Sequence, residues 1–374
     1  MPQTITARRL FTAIGSVEFP VITLTSDGLI ADISSDTAIK SDETLTAAFL
    51  DIHIHGSANH DVMEGTPEAF AAINNFLATK GVAHYLATTV TAPIETTLTA
   101  LEKIATAIEA PATDGATPIG IHLEGPFISH DKRGVHPPAE IQPPSIPLFE
   151  KFWQASRGKI RLITLAPEAP NALDLIKHAV SLGVKVSLGH SNATAAQTLA
   201  AIAAGATSAT HTFNAMRPLD HREPGILGTV LDNPALFAEL ICDGVHVDPS
   251  LVRLWLRAKS PARAILVTDA ISATGMPNGT YTLGNFKVEV SDGRATHNGA
   301  LAGSVLTLNR AVSNLQSFTG TSLDAATRCA SHTPAQMLGL PHLTELSPGH
   351  PANLNRFNAN GELTRTYLRG RAIN

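Results

Sequence analysis

Eight apolar, strand-like runs alternate with Ala-rich helical stretches through the middle of this 374-residue chain. The helical stretches include residues 67–80 and 94–109, and several end next to a glycine, such as Gly81 or Gly183, which is a typical helix stop signal. Strands that alternate with helices form a parallel sheet, and eight such units close into a barrel. The sequence therefore predicts an α/β fold, a (β/α)8 TIM barrel. The eight runs are residues 49–55, 83–89, 118–124, 160–166, 184–190, 208–213, 236–242 and 264–269.

The two ends of the chain have a different pattern. Residues 19–33 and 354–368 each consist of two short alternating runs separated by a Gly-containing turn, which is typical of β-hairpins. We therefore expect one small β-sandwich domain built from residues 1–47 and 341–374. The barrel is expected to span residues 48–340, with a hairpin insertion near residues 280–297.

Composition and charge exclude several classes of protein. A net charge of −5 argues against a basic nucleic-acid surface. No apolar run is long enough to span a bilayer, and the short apolar patch after Arg8 and Arg9 is not a signal-peptide core. Cys242 and Cys329 are the only cysteines, too few for a disulfide framework. We expect a cytoplasmic protein that binds neither nucleic acid nor membrane.

The ends of the predicted barrel strands carry polar residues of the kinds that bind metals. Enzymes with this fold place their reactive groups at the carboxyl ends of the strands, so these side chains should meet at one mouth. Read alone, the first two histidines could be a solvated strand end and the aspartate a helix cap. Their common phase with the barrel favours a metal site. These residues are His53, His55, Glu124, His190, His211 and Asp269.

Nitrogen and oxygen ligands suit a divalent metal such as zinc, and also manganese, cobalt or iron(II). An open coordination position lowers the pKa of a bound water towards neutrality and so makes a nucleophile available. We interpret Asp269 as the base that takes the proton of this water and later protonates the leaving group.

This set of residues resembles the amidohydrolase superfamily, and shorter strings narrow the resemblance to its N-acetylglucosamine-6-phosphate deacetylases. The resemblance covers nearly the whole chain. The strings are residues 122–127 (HLEGPF), 189–191 (GHS), 211–216 (HTFNAM), 222–225 (REPG), 243–246 (DGVH), 268–270 (TDA) and 301–304 (LAGS).

The resemblance implies one or two divalent ions per subunit, with zinc favoured. In that family the residues matching Glu124, His190 and His211 form the principal site, and members with a pair like His53 and His55 can hold a second ion. Many superfamily members bridge two ions with a modified lysine at the end of strand 4. Here residues 165–168 read LAPE, so Glu124 is expected to be the bridge.

The resemblance also implies hydrolysis of N-acetyl-D-glucosamine 6-phosphate to D-glucosamine 6-phosphate and acetate, in amino-sugar catabolism or recycling. Arg222, one of the expected substrate-binding residues, could instead be an ordinary loop arginine, or could serve the neighbouring subunit of a homodimer. Alternative functions are another amidohydrolase reaction, such as cyclic-amide opening or deamination, and non-catalytic sugar-phosphate binding. The expected substrate-binding residues are Val135, His136, Asn214, Ala215, Arg222, Asp243, His246, Ala302, Gly303 and Ser304.

Overall fold

Eight parallel strands form the central sheet of this computed structural model, which describes residues 3–111 and 114–373. Each strand pairs with the next one along the chain. The first and last strands approach through a parallel bridge between Ile54 and Ala270, and the Asp269 N–H donates to the His53 carbonyl at 2.9 Å. The predicted barrel is thus confirmed. Its strands are Phe49–Ile54, Val82–Thr89, Thr117–Glu124, Ile160–Leu165, Lys185–Leu188, Ser208–Ala209, Phe237–Ile241 and Ala264–Val267.

Several strands end earlier than the apolar runs predict. The sixth strand ends at Ala209, four residues before the predicted end at 213, and the fifth ends at Leu188 instead of 190. The reason lies in the backbone, because His190 and His211 have φ values of +46° and +27°, which a strand cannot contain. The polar residues at these ends therefore lie on the loops that follow the strands.

Helices cover the outside of the barrel, and local sequence explains where several begin. Thr66 accepts a hydrogen bond from Ala69 N with Pro67 in the first turn, and Thr194 forms a capping box with Gln197. The α-helices are Pro67–Thr79, Ile94–Glu109, Ile146–Ala155, Ala172–Ser181, Ala195–Ala204, Gly225–Asp232, Pro249–Lys259, Leu308–Thr319, Leu323–Ala330 and His332–Leu338, with 3-10 turns at Val62–Glu64, His130–Lys132, Pro138–Glu140 and Pro341–Thr344.

Both ends of the chain contribute to a separate pair of sheets. A three-stranded sheet contains Thr4–Thr6, Pro20–Leu24 and Ile30–Ser35. An apolar core, which includes Leu10, Ile22, Leu45 and Leu354, packs between it and a six-stranded sheet. The strands of the second sheet are, in order, Arg371–Ile373, Leu363–Leu368, Leu354–Phe357, Thr44–Ala47, Arg9–Thr12 and Gly15–Glu18.

The insertion after the eighth barrel strand differs from the single hairpin that the sequence predicts. It is an antiparallel sheet of four strands: Gly284, with φ +52°, lies in a turn that divides the run 280–290, and a short fourth strand follows the turn at Asn298 and Gly299. A Cβ at Gly284 would lie 2.5 Å from Val90 Cγ1, so the turn packs directly on the barrel. The strands are Gly279–Leu283, Phe286–Ser291, Arg294–His297 and Ala300–Leu301, and a short ribbon of Gly56–Ser57 and His60–Asp61 lies after the first barrel strand.

The inside of the barrel contains a buried polar layer. His122 Nδ1 is 3.1 Å from the Ile52 carbonyl oxygen, and its Nε2 is 2.7 Å from Thr164 Oγ1. Thr210 Oγ1 lies 2.7 Å from both Thr164 Oγ1 and Ser187 Oγ, so hydrogen bonds link neighbouring strands across the interior. This layer lies beside the residues at the mouth, since the His122 and His53 rings are 4.6 Å apart. Among the described residues, no helix combines the length and apolar character needed to cross a membrane.

Candidate metal centre

Two groups of metal-binding side chains meet at the carboxyl ends of the barrel strands. The first group is Glu124, His190 and His211, and the second is His53, His55 and Asp269. All six side chains are buried, and within each group the candidate ligand atoms lie within 4.8 Å of one another. The structure therefore brings together all six residues that the sequence places at strand ends.

Glu124 lies between the two groups and contacts both. Its Oε1 is 3.3 Å from the Nε2 atoms of His190 and His211 in the first group. The same oxygen is 3.3 Å from His53 Nε2, and Oε2 is 3.3 Å from His55 Nε2 in the second group. This geometry suits a carboxylate that bridges two ions.

The donor atoms have the spacing that a bound divalent ion requires. Ligands about 2.0–2.2 Å from a tetrahedral ion lie about 3.3–3.6 Å from one another. In the first group the separations are 3.3 Å, 3.3 Å and, between His190 Nε2 and His211 Nε2, 3.1 Å. His53 Nε2 is buried and has no hydrogen-bond partner among the described residues, although it faces two carboxylates. These residues fit a divalent metal ion.

Hydrogen bonds fix which imidazole nitrogen faces the centre. His55 Nδ1 is 3.0 Å from the Thr88 carbonyl oxygen, and His190 Nδ1 is 2.9 Å from the Lys132 carbonyl oxygen. A carbonyl oxygen only accepts, so each Nδ1 carries a proton and each Nε2 is the nitrogen that faces the centre. His211 Nδ1 is buried and has no hydrogen-bond partner in the described part of the chain.

The carboxylates and imidazoles shift one another's pKa values strongly. Burial alone would lower the pKa of His55, but Asp269 and Glu124 beside it raise this pKa to about 9. Burial alone would raise the pKa of Asp269, but the charges of His53 and His55 outweigh it and lower the pKa to about 2. Asp269 is therefore ionised at neutral pH, as a base must be.

Three of the candidate ligands lie in a backbone conformation that residues other than glycine rarely adopt. His190, His211 and Asp269 have φ values of +46°, +27° and +51°. Such conformations cost about 1–3 kcal/mol each, and they cluster at functional sites where the surrounding structure holds them. Ser304 supports one of them, because its N–H donates to the Asp269 carbonyl oxygen at 2.7 Å.

A cavity of about 200 Å³ opens directly onto these side chains. Larger cavities lie among the outer helices, but none of the residues of the two metal-binding groups lines them. Six of the expected substrate-binding residues line the cavity at the mouth: Val135, His136, Asn214, Ala215, His246 and Gly303.

The other four expected substrate-binding residues lie elsewhere. Asp243 lies behind His246, with Oδ2 2.7 Å from His246 Nδ1, and Ser304 Oγ donates to the Thr268 carbonyl at 2.6 Å. Ala302 is buried, and its N–H donates to the insertion. Arg222 is exposed on a loop outside the cavity of its own chain.

His136 is oriented by Thr91, a residue that the sequence analysis does not identify. The Thr91 N–H donates to His136 Nδ1 at 3.4 Å, and Thr91 Oγ1 is 2.8 Å from the same atom. A backbone N–H only donates, so Nδ1 accepts and Nε2 carries the proton of the neutral ring. Burial and the neighbouring His190 lower the pKa of His136 to about 3, which keeps the ring neutral. Its Nε2–H therefore faces the centre as a donor, 3.7 Å from Glu124 Oε2.

The comparison with protein families agrees with this arrangement. The model of the amidohydrolase family matches residues 44–373, which is most of the chain. The chain belongs to the amidohydrolase family.

Two relatives of this amidohydrolase are named as deacetylases of amino-sugar phosphates. The chain is 36% identical over 362 residues to an N-acetylglucosamine-6-phosphate deacetylase of Vibrio furnissii, which covers 94% of this chain and 90% of the relative. It is also 36% identical over 375 residues to an N-acetylgalactosamine-6-phosphate deacetylase of Escherichia coli O157:H7, which covers 99% of both chains.

A solved structure superimposes on almost the entire amidohydrolase. It is a variant of the N-acetyl-D-glucosamine-6-phosphate deacetylase of Mycobacterium smegmatis in complex with N-acetyl-D-glucosamine-6-phosphate. The TM-score is 0.93 at 32% identity, and the match covers 100% of this chain and 99% of the other.

Sequence reasoning missed one buried acid of this amidohydrolase, Glu239. Its Oε2 is 3.2 Å from His53 Nδ1, and the side chain has no solvent exposure. The indication in the sequence is that Glu239 is a single charged residue within the otherwise apolar seventh strand, Phe237–Ile241.

Proposed function

We propose that this amidohydrolase hydrolyses the acetamido group of N-acetyl-D-glucosamine 6-phosphate and releases acetate and D-glucosamine 6-phosphate, in amino-sugar catabolism or recycling. The observation that carries the proposal is that one cavity is lined by five of the six ligands, among them the ionised Asp269, and by the neutral His136. The names of the relatives support the same substrate class.

The side chains of the cavity have distinct tasks in this reaction. A divalent ion held by the two groups would lower the pKa of a bound water and polarise the acetyl carbonyl. Asp269, whose Oδ1 is 3.1 Å from His55 Nε2, accepts the proton of the attacking water and passes it to the departing nitrogen. His136 donates its Nε2–H to the carbonyl oxygen, where negative charge develops.

The other end of the cavity is suited to the phosphate. Burial alone would lower the pKa of His246, but the Asp243 carboxylate raises it above its ordinary value and so favours the cationic ring. We therefore assign phosphate recognition to His246, together with the backbone at Ala215. The Asn214 N–H already donates to the His211 carbonyl at 3.0 Å, so a phosphate would have to share it.

A homodimer would supply a guanidinium group to the cavity. None of the described residues lining the cavity is lysine or arginine, whereas Arg222 is exposed on the loop before the helix Gly225–Asp232. A groove of about 750 Å³ beside this loop is flanked by the exposed side chains of Leu199, Leu219 and Leu254. Exposed apolar patches are typical of subunit interfaces. We assign this groove to the dimer interface and Arg222 to the partner subunit's cavity.

Mixing two inactive variants tests the assignment of Arg222. Arg222→Ala and Asp269→Asn homodimers should each be impaired in acetate release. After subunit exchange, a mixed dimer contains one cavity with both an intact Asp269 and an Arg222 from the other subunit, so an equal mixture should recover roughly a quarter of wild-type activity. A mixture no more active than the average of its components would assign Arg222 to its own subunit.

The reaction itself is tested by an acetate assay on four sugars. N-acetylglucosamine and N-acetylgalactosamine, each with and without the 6-phosphate, separate phosphate recognition from recognition of the sugar epimer. We expect acetate from the glucosamine 6-phosphate substrate at far higher kcat/KM than from either unphosphorylated sugar. The galactosamine pair is included because the Escherichia coli relative bears that name.

Two other outcomes would point to the alternative functions. Tight binding of the phosphorylated sugar without acetate release, with metal supplied, would identify a binding protein. No binding would favour another amidohydrolase reaction.

The ion and the compartment belong to the same proposal. We propose zinc as the native metal because imidazole and carboxylate ligands at this spacing suit it, and elemental analysis of the purified protein would separate it from manganese, cobalt and iron.

We propose a cytoplasmic location, which agrees with two buried cysteines that form no disulfide.

A further inference from the structure

Glu239 is a buried carboxylate with a single polar contact. It lies in the middle of the seventh barrel strand, Phe237–Ile241, and has no solvent exposure. Its Oε2 is 3.2 Å from His53 Nδ1, while Oε1 has no hydrogen-bond partner among the described residues. A buried carboxylate is unfavourable unless a neighbouring positive charge compensates it. Among the described residues, the only hydrogen bond to the Glu239 side chain is the one to His53.

The contact determines how His53 faces the centre. A carboxylate accepts the hydrogen bond, so Nδ1 carries a proton and Nε2 is the nitrogen that faces the centre, 3.3 Å from Glu124 Oε1 and 3.6 Å from Asp269 Oδ1. His55 has a backbone carbonyl in the equivalent place, at 3.0 Å. A carboxylate is charged and makes the imidazole a stronger electron donor than a carbonyl does.

We propose that Glu239 is a positioning residue which, by orienting and strengthening His53 as a ligand, makes the group His53, His55 and Asp269 a second divalent-ion site. The inference rests on the proposed metal-dependent function. Among the described residues, the first group has no hydrogen bond to the Glu239 side chain: His190 is oriented by the Lys132 carbonyl at 2.9 Å, and His211 Nδ1 has no hydrogen-bond partner. The loss of Glu239 should therefore affect one ion and spare the other.

Counting and titrating Zn²⁺ in Glu239 variants tests this inference. Elemental analysis after dialysis and calorimetric titration of the metal-free protein give the number of ions and the affinity of each site. We expect two ions in the wild type. Glu239→Leu should bind the second ion about 10- to 100-fold more weakly and keep the affinity of the first. Glu239→Gln should lie between them, because its amide oxygen accepts the hydrogen bond but carries no charge.

Two further variants serve as controls. His53→Asn removes the ligand itself and should lose the same ion as Glu239→Leu. Thr366→Val alters a buried polar side chain of the small β unit, away from the mouth, and should keep both ions.

Three results would overturn the inference. The first is that Glu239→Leu binds two ions with wild-type affinity. The second is that both Glu239 variants lose both ions equally. The third is that the wild type binds a single ion. If Glu239→Leu does not fold, the nearly isosteric Glu239→Gln tests the inference instead. This variant should still bind the second ion more weakly than the wild type does and keep the affinity of the first ion. Acetate release by the wild type on the phosphorylated sugar tests the proposed function separately, since an active enzyme with one ion would contradict this inference alone.

Discussion

The two groups of ligands at the barrel mouth are held in opposite ways. His53 lies in the strand Phe49–Ile54 and His55 directly follows it, and their rings are anchored by Glu239 and the Thr88 carbonyl. In the first group, His190 and His211 lie beyond their strands in left-handed backbone. One pair is thus directed by the alternation of a strand, and the other by loops that hold a strained conformation. Glu124 contacts both pairs and therefore joins the two groups into one centre.

Removing the shared carboxylate should have the largest effect. Glu124→Gln keeps the size of the side chain but removes the charge that faces all four histidines. We expect both groups to lose their affinity for Zn²⁺ together and acetate release to become undetectable. Elemental analysis and the acetate assay measure the two effects, with the exposed Glu102→Gln as control. Retention of one ion at wild-type affinity would show that the two groups are independent.

Replacing Asp269 should separate chemistry from metal binding at the first group. Asp269→Asn removes the base, and loss of such proton transfer lowers kcat by about 10²- to 10⁴-fold. The first group does not include Asp269, so it should keep its ion. Steady-state kinetics on the phosphorylated sugar, together with the metal content of the same preparation, measure both. Near-normal turnover in this variant would contradict the role of Asp269.

Removing the hydrogen-bond donor His136 should lower kcat less than removing Asp269. His136→Gln removes the oriented Nε2–H and should lower kcat by about 10²- to 10³-fold. Thr91→Val keeps the backbone N–H to His136 Nδ1 and loses only the hydroxyl, so its loss should be about five- to tenfold. Equal losses in the two variants would mean that the hydroxyl of Thr91, and not its backbone, determines the orientation of the ring.

The second group should also make the stability of the metal-free protein depend on pH. The pKa of His55 is raised from 6.5 to about 9, so its contribution is fully present below pH 6.5 and is lost as the pH rises through 9. The pKa of His53 shifts in the same direction, again because Glu124 and Asp269 outweigh burial.

Urea unfolding of the metal-free protein at pH 6.5 and pH 9 measures this effect. The free energy of unfolding should fall between these two pH values by an amount on the order of a few kcal/mol. His55→Asn should reduce the fall. A free energy that rises over this interval would contradict the charge arrangement described for the second group.

The same contrast explains what could be predicted from the sequence. The eight apolar runs are enough to predict the barrel. His53 and His55 could be assigned to one face because strand side chains alternate. The runs could not show that the chain leaves the strands before His190 and His211, since that turn depends on φ values that no residue pattern records. Gly284 is visible as a glycine, but the sequence does not show that its turn divides the run 280–290 and packs against Val90.

Contacts between distant parts of the chain were the least predictable. Glu239 and His53 are 186 residues apart, and Thr91 and His136 are 45 apart. Neither pair leaves a local motif. Arg222 illustrates a different limit, because the sequence assigns it to the substrate and the structure places it on the surface of its own chain.

Anomalous diffraction from a crystal of the Zn²⁺-loaded protein tests the central claim most directly. We predict one peak within bonding distance of Glu124, His190 and His211, and a second within bonding distance of Glu124, His53, His55 and Asp269. A map without a peak beside the Glu124 carboxylate would contradict it.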